Sequence, residues 1–528
     1  MVKLFYKIYT LLRYYPSGKI RKVFRHTESL PHTTGTIAYK KILFCPFAPH
    51  QLNIIRESIW AHACRLRGAD VKMLSYDLFL PAIDFLTPGV KKDLKVSYRI
   101  VKYLYKIIGL PAIYLSKYFN QVREDSIDCK SLDPSGIISL EHNNIKLGDL
   151  IIASTIRFFY SNGPEWDNPE FLDKAREFAE TAIILTEIYE KVIEEEKPDK
   201  IVASHGIYVS WGTIFRVARQ RNIPVDIYGG SYRKDTLRFN HNTPNAPFPE
   251  GEWDLFRNID LGPDKLKQVD EYILTRATQS EDSISLFSEK DYFPDDLKRF
   301  LDTARNCNKK VFCLFTNISW DGYMYKQDDK TFSNMVEWVS DNIKYFKSRN
   351  DAFLIVKAHP AENYYNVPVK YRIRSIIDKG LPENIIFIDE SANVKPVNLY
   401  EFIDVGLIYI STVSIEMALR KIPVVTAGVG GHYSNKDFTI DPVSKSEYFE
   451  IIDSYIKNNY RFTPDIDRAK NYLYFRFFGE ALINDLLNIE KYKIKKINFK
   501  SLEDLMPGKN KVLDIICNGI LNDTKFLN

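Results

Sequence analysis

The sequence predicts a two-domain α/β protein, each domain a mostly parallel sheet flanked by helices. Three observations carry this expectation. A strand–loop–helix–strand run opens at Lys41, a longer alternation of strands and helices opens at Lys310, and an irregular stretch rich in Asn, Pro and Asp over 235–300 lies between them. The length agrees, because 528 residues exceed the roughly 250–300 at which single cores stop growing. At 45% apolar and 27% charged residues the composition is globular, neither disordered nor repetitive.

The elements follow in order. KILFCPF from Lys41 reads as a buried strand, and APHQ after it as a loop. A helix runs from Leu52 to about Arg67, Gly68 ends it, and DVKMLSY is a second strand. Residues 90–120 mix Lys91, Lys92, Lys95, Arg99, Lys102, Lys106 and Lys117 with Val, Ile, Leu and Tyr, which predicts inserted, solvated or interfacial helices. KIVAS, VSWGTIFRVARQRN and PVDIYGG read as strand, helix and strand over 200–230. In the second series KVFCLFT, FLIVKAH, NIIFID, VGLIYI and PVVTAG are strands. Helices are expected near Thr331–Tyr345, in PVNLYEFI, in VSIEMALRK and after Ser444. The resulting division is a basic arm at 1–38, a first domain at 39–245, a connector at 246–308, a second domain at 309–490 and a helical tail at 491–528.

Charge is unevenly placed. The chain carries +5, yet residues 1–26 hold Lys3, Lys7, Arg13, Lys19, Arg21, Lys22 and Arg25 with no acidic residue. That arm is +7, so the remainder is −2, the difference between the two figures. Leu4, Phe5, Ile8, Leu11, Leu12 and Tyr15 fall near helical spacing, which predicts a basic amphipathic helix able to lie on an anionic membrane surface. The same pattern also suits a helix packed on the body with a solvated basic face. So small an excess charge does not predict a nucleic-acid partner. No run of 18 or more uncharged apolar residues predicts a membrane span, and Lys7 and Arg13 interrupt any signal-peptide pattern. Six cysteines without a C-x-x-C pair read as reduced, buried residues of an intracellular protein. The expected location is cytoplasmic and peripheral to the membrane.

Candidate chemistry concentrates after the strands of the second domain. IVKAHP, Ile355 to Pro360, puts His359 at the carboxyl edge of the sheet, where open α/β folds bind ligands. Imidazole there donates to a phosphate oxygen, and Pro360 fixes the turn; a strand-end His satisfied by backbone is the plainer reading. In YISTVSIEMALRKIPVV a strand ends at Ser411–Thr412 and a helix begins at once, which makes either an anion site or an ordinary N-cap. Glu416 shares a helix face with Thr412 and either accepts from ribose or sugar hydroxyls or is a surface charge. In AGVGGHYSNKDFTID the glycines 428, 430 and 431 allow close backbone approach to a ligand, beside His432, Tyr433, Lys436 and Thr439. In TNISWDG, Asn317 and Ser319 reach toward a diphosphate or simply form a turn.

In the first domain His50 and His205 end strands and are candidate general bases for an acceptor hydroxyl. Asp133, Glu141 and Asp149 are carboxylate alternatives, while Arg157, Arg233 and Lys234 are candidate holders of a phosphate or acidic sugar. No H-E-x-x-H, G-x-S-x-G, paired-Cys or strand-end D-x-D pattern occurs, so no metal is expected.

These motifs resemble those of capsule and surface polysaccharide biosynthesis proteins, a group that includes Kdo-transferase-type enzymes of the two-domain GT-B fold. The resemblance is carried by His359–Pro360, by S-T-x-x-x-E at 411–416 and by HYSNKDFTIDP at 432–442, with AKNYLYFRFF a weaker match. In the first domain ASHGIYVSWGTIFRVARQRNIPV, GGSYRKDTLRF and LGDLIIASTIR add to it. Ala153 stands where such proteins often carry an acidic residue, which counts against a catalytic role for that stretch. The resemblance implies a GT-B fold with two Rossmann-like domains facing across a cleft. It implies a nucleotide-sugar donor held by His359, Ser411, Thr412 and Glu416; Pro360, Asn317, Gly430 and Lys436 complete the donor-side candidates read from the residues themselves. The acceptor, a lipid-linked or other surface-polysaccharide glycan, would enter from the first domain, where His205, His50 and Asp149 are the catalytic candidates. No cofactor beyond the donor is implied. Two rival expectations share the fold: a sugar-nucleotide epimerase, and a non-catalytic glycan assembly factor on the membrane.

Overall fold

The computed structural model describes residues 24, 40–46, 51–77, 80–84, 94–119, 121–122, 128–244, 250–276, 278–287, 292–321, 331–377, 380–427, 433–490 and 493–528. The helix expected in the N-terminal arm lies outside these, apart from Phe24.

In the first domain β1 (Lys41–Cys45) leads to α1 (Gln51–Leu66) and β2 (Asp70–Ser75). Gly68, at φ 93°, adopts the left-handed conformation that ends the helix, as the sequence predicts. The basic segment then forms α2 (Leu94–Ile108) and a short edge strand, β3 (Ala112–Tyr114), which pairs in parallel with β2. It is thus part of the sheet and not only inserted helix. A small hairpin of β4 (Glu141–His142) and β5 (Ile145–Lys146) precedes α3 (Gly148–Phe159). The long α4 (Pro169–Glu196) starts where the Asn168 side chain accepts from the Glu170 amide and Pro169 takes the first turn. β6 (Lys200–Ser204), α5 (Tyr208–Gln220), β7 (Val225–Gly230) and β8 (Thr236–His241) complete the forward run.

The connector is not a loose link. Its helices α6 (Glu250–Arg257), α7 (Gly262–Thr275) and α8 (Asp295–Asn306) bury Trp253, Val269 and Leu297 in the second core. The second domain holds β9 (Lys310–Phe315), α9 (Met335–Lys347), β10 (Ala352–Lys357), β11 (Ile385–Ile388), β12 (Val405–Ile408), α10 (Val413–Ala418) and β13 (Val424–Thr426). Its sheet is wholly parallel in the order β11-β10-β9-β12-β13. The helix expected in PVNLYEFI is only a 3-10 turn at Pro396–Asn398, followed by turns up to β12. Helices α11 (Lys445–Ile456) and α12 (Ile466–Tyr474) follow.

The chain then recrosses. A π-turn at Phe475–Gly479 leads to β14 (Leu482–Ile483), which pairs antiparallel with β8 in the first sheet. That sheet therefore has seven strands in the order β14-β8-β7-β6-β1-β2-β3. The hairpin of β15 (Leu487–Glu490) and β16 (Lys493–Ile497) and the final helix α13 (Lys511–Asn522) pack on the first core, with Cys517 of α13 4.0 Å from Cys64 of α1. The return to the first domain thus begins before residue 490, where the sequence suggested a tail.

Candidate functional site

The carboxyl ends of the two sheets meet. Tyr208 opens α5 just past the end of β6, and its hydroxyl donates to Asp321 Oδ1 at 3.5 Å on the segment after β9. Beside it Ser319 Oγ donates to Asn162 Oδ1 at 2.6 Å, Trp320 packs edge-on against Tyr160, and the Tyr371 hydroxyl donates to Glu165. A ligand bound between the domains would lie against the segments that these contacts hold.

On the second-domain wall β10 is buried along its whole length and ends in Lys357. His359, two residues on, accepts at Nδ1 from the Ala361 amide at 3.2 Å. An acceptor nitrogen carries no proton, so the neutral ring holds its proton on Nε2 and donates from there. Burial, helped by the Lys357 charge, lowers its pKa to about 4, so it is neutral at physiological pH. Lys357 was not singled out in the sequence. It is 3% exposed, lies 5.2 Å from the Phe287 ring centre and has no carboxylate partner among the described residues. Burial lowers its pKa to about 8. A lysine ending an otherwise apolar strand was the available signal, since unpaired lysine is seldom buried. Beyond Pro360, Glu362 is 1% exposed, accepts from the Ile373 amide, and is pushed up to about 8 by burial.

The other donor-side candidates are more constrained than expected. Thr412 makes no side-chain cap bond at α10. Glu416 is neither a surface charge nor open to solvent. Arg276, from the connector, pairs with it at 2.9 Å, and the Tyr400 hydroxyl donates to its other oxygen at 2.9 Å. The same guanidinium reaches Asp282 and lies 3.4 Å from Thr412 Oγ1. Ser411 is half-buried beside this network. Asn317 donates to the Ile410 carbonyl and accepts from its amide, so it ties the segment after β9 to the segment after β12. Lys436 donates to the Ser434 carbonyl at 3.1 Å, in a turn where Asp441 accepts from Thr426, Thr439 and the Asn435 amide. Tyr433 donates to the Tyr232 hydroxyl of the first domain at 3.1 Å. Gly428, Gly430, Gly431 and His432 lie outside the described residues.

On the first-domain wall three residues after β6 have positive φ: His205 at 54°, Gly206 at 68° and Tyr208 at 66°. Two of the three are not glycine, and such conformations persist only where surrounding structure holds them. A Cβ on Gly206 would meet Pro244 Cα at 3.2 Å, so glycine is needed there. The His205 ring packs 4.9 Å from Trp211, with Nδ1 2.5 Å from Ser204 Oγ. Arg157 lies 5.0 Å over the Tyr208 ring and donates to its hydroxyl at 3.2 Å. Asp84, 2% exposed, accepts from the Ser210 amide at 2.8 Å; burial raises its pKa against those bonds and the Arg157 charge. Sequence reasoning missed Asp84, Tyr208 and Asp321, because only the fold brings them to Arg157.

The remaining first-domain candidates serve the scaffold. Asp149 forms a two-pronged pair with Arg216, 2.6 Å on each arm, joining α3 to α5. Asp133 caps a short helix by accepting from the Gly136 amide at 2.7 Å, and Glu141 sits on the small hairpin. Arg233 stacks on Phe478 at the recrossing, and the Lys234 amide donates to the Glu281 carbonyl. Ala153 packs against Ile207 and Tyr208. His50 lies outside the described residues.

Among the described residues no group of three or more His, Cys, Asp and Glu side chains is placed to hold a metal ion. No helix among them is long and apolar enough to cross a membrane.

Two Rossmann-like domains meet at their carboxyl edges, and the chain recrosses at its end. The fold is of the GT-B type. No family model and no curated protein sequence matches the chain. Among solved structures it is similar to two Thermosulfurimonas dismutans KpsC structures. For the β-Kdo 2,4 transferase the identity is 12%, over 59% of this chain and 88% of that one, with a TM-score of 0.34. For the β-Kdo 2,7 transferase the identity is 10%, over 58% and 84%, with a TM-score of 0.32. It is also similar to Methanocaldococcus jannaschii UDP-GlcNAc 2-epimerase in complex with UDP-GlcNAc and UDP, at 13% identity over 82% and 98%, with a TM-score of 0.27.

Proposed function

We propose that the protein is a glycosyltransferase that moves a sugar from a nucleotide donor to a surface-polysaccharide acceptor at the cytoplasmic face of the membrane. One observation carries this reading. Where β10 ends at the cleft, His359 holds its proton on Nε2, and two residues before it lies buried Lys357, with no carboxylate partner among the described residues. A neutral donor and a nearby cation suit a phosphate group that gains negative charge as the sugar leaves. Ser411 adds a hydroxyl on the same wall. Arg276 and Tyr400 hold the Glu416 carboxyl in one orientation, so it acts as a fixed acceptor for donor hydroxyls.

On the facing wall His205 is the base. That role needs the lone pair on Nε2, hence a proton on Nδ1 donated to Ser204 Oγ, with the serine proton directed to the Tyr228 carbonyl 3.5 Å away. The acceptor oxygen then bonds to the sugar, its proton passes to His205, and the sugar–phosphate bond breaks. Arg157 is placed to hold an acidic group of the acceptor or donor sugar. Replacing His359 by Ala should abolish donor turnover with the melting temperature within a few degrees of wild type. Unchanged turnover would remove the central claim.

A sugar-nucleotide epimerase fits the same phosphate-holding wall. It acts on the donor alone, so product analysis without acceptor separates the two: a new sugar nucleotide supports the epimerase, an untouched donor the transferase. The basic arm at 1–26 favours the transferase, because an epimerase has no need of a membrane-borne acceptor.

A further inference from the structure

A second cavity, of about 740 Å³, lies at the opposite, amino edge of the first sheet. Lys41 opens β1 there, Asp70 opens β2, and Arg65 and Lys106 come from the ends of α1 and α2. Among the described residues no carboxylate pairs with the Lys41, Arg65 or Lys106 side chain. Three cations therefore face one acidic residue, around an apolar floor that includes Leu110 and Pro111. Unpaired cations converging on a cavity repel one another, and a bound anion removes that cost.

Two further features lie beside the cavity. Arg99, Lys102 and Lys106 line the exposed side of α2, and the partly exposed aromatics Tyr114 and Phe119 follow on β3 and just beyond it. Phe24, the last aromatic before the end of the basic arm, is 1% exposed and stacks on His62. His62 in turn bonds the Ile108 carbonyl at 3.0 Å, between the Arg65 and Gly109 rims of the cavity. Phe24 is thus packed one residue away, through Ile108, from the Gly109 that lines the cavity.

We propose that this cavity binds the headgroup of an anionic membrane phospholipid, the phosphate between the three cations and the glycerol and upper acyl chain along the apolar floor and Tyr114. The arm and α2 supply long-range attraction and the cavity supplies headgroup selectivity. The cleft lies at the other end of the strands, so the anchor holds the protein without covering it. The proposal does not depend on which reaction the cleft performs.

The test uses the full chain with vesicles of phosphatidylcholine alone or mixed with phosphatidylglycerol, and with soluble dihexanoyl-phosphatidylglycerol and inorganic phosphate as separate ligands. Wild type should sediment with the mixed vesicles and bind the short-chain lipid more tightly than phosphate. Each cation near an anionic surface contributes roughly fivefold, so K41Q/R65Q/K106Q should lose about a hundredfold. The exposed pair K41Q/K106Q, which spares half-buried Arg65, should lose about 25-fold with the fold intact. Removing three distant charges in K267Q/K298Q/K457Q should change little. Deleting residues 2–20 should weaken vesicle binding but leave the short-chain lipid affinity unchanged. An equal loss in both triple variants, or phosphate binding as tight as the lipid, would overturn the headgroup site.

Discussion

Single residues in the second domain have protonation states set by burial. Lys357 loses its charge near pH 8 and His359 is already neutral above about pH 4. An anionic donor should therefore bind with nearly constant affinity from about pH 6 to its neighbour's pKa, then weaken as pH passes 8 and Lys357 deprotonates. In Lys357→Gln the alkaline limb should vanish and binding should be weak throughout; titration calorimetry across this range reads both. Glu362 behaves oppositely to a paired carboxylate. Its folded-state pKa is raised to about 8 by burial, so the fold keeps a proton that the unfolded chain releases near its ordinary value of 4.5. Stability from this group is full below 4.5 and declines up to pH 8, with a slope of at most about 1.4 kcal/mol per pH unit. Glu362→Gln should flatten that decline and be the more stable form at pH 8; urea unfolding at both ends of the window that shows parallel slopes would refute it.

Whole elements are held by close backbone approach as much as by side chains. Helices α3 and α5, which carry Arg157 and Tyr208, touch where a Cβ on Gly212 would fall 2.4 Å from Leu150 Cδ2. Leu150 is fully buried, so its side chain must shift within the core to make way. Gly212→Ala should therefore cost about 1–3 kcal/mol by overpacking, despite the better helix propensity of alanine. If donor binding is retained while acceptor turnover falls, the strain has moved the first-domain wall alone. The strands and most helices of both domains were legible, because buried strands are continuous apolar runs and helices have 3.6-residue periodicity. The edge strand β3 was not, since three residues after a basic helix carry no periodic signal. The placement of His359 and His205 just past the ends of apolar strands was legible. That of Arg276 was not, because its meaning comes from Glu416, 140 residues away.

At the scale of the molecule, the first domain is completed by the far end of the chain. β14, α13 and Phe526 fill its core, with Phe526 stacked on Phe239 and seated against Gly519. Ending the chain at residue 500 should therefore unfold the first domain, not trim a tail; a truncated protein with wild-type melting would show the return segment to be dispensable. The arm has a similar boundary. A cut at residue 26 removes buried Phe24 and, at about 3–5 kcal/mol for a large aromatic, confounds membrane binding with stability, whereas a cut at residue 20 does not.

The sequence by itself determined two α/β domains, the strand-end histidines and a near-neutral body with a basic arm, because these follow from local apolar runs and from counting charges. Only the tertiary structure decided that the tail belongs to the first domain and that Glu416 is held by Arg276. It also showed Lys357 to be buried with no carboxylate partner among the described residues, and three cations to surround a cavity at the sheet's amino edge. Each of those depends on which distant residues the fold brings together, and burial and pairing are properties of that neighbourhood, not of the residue type.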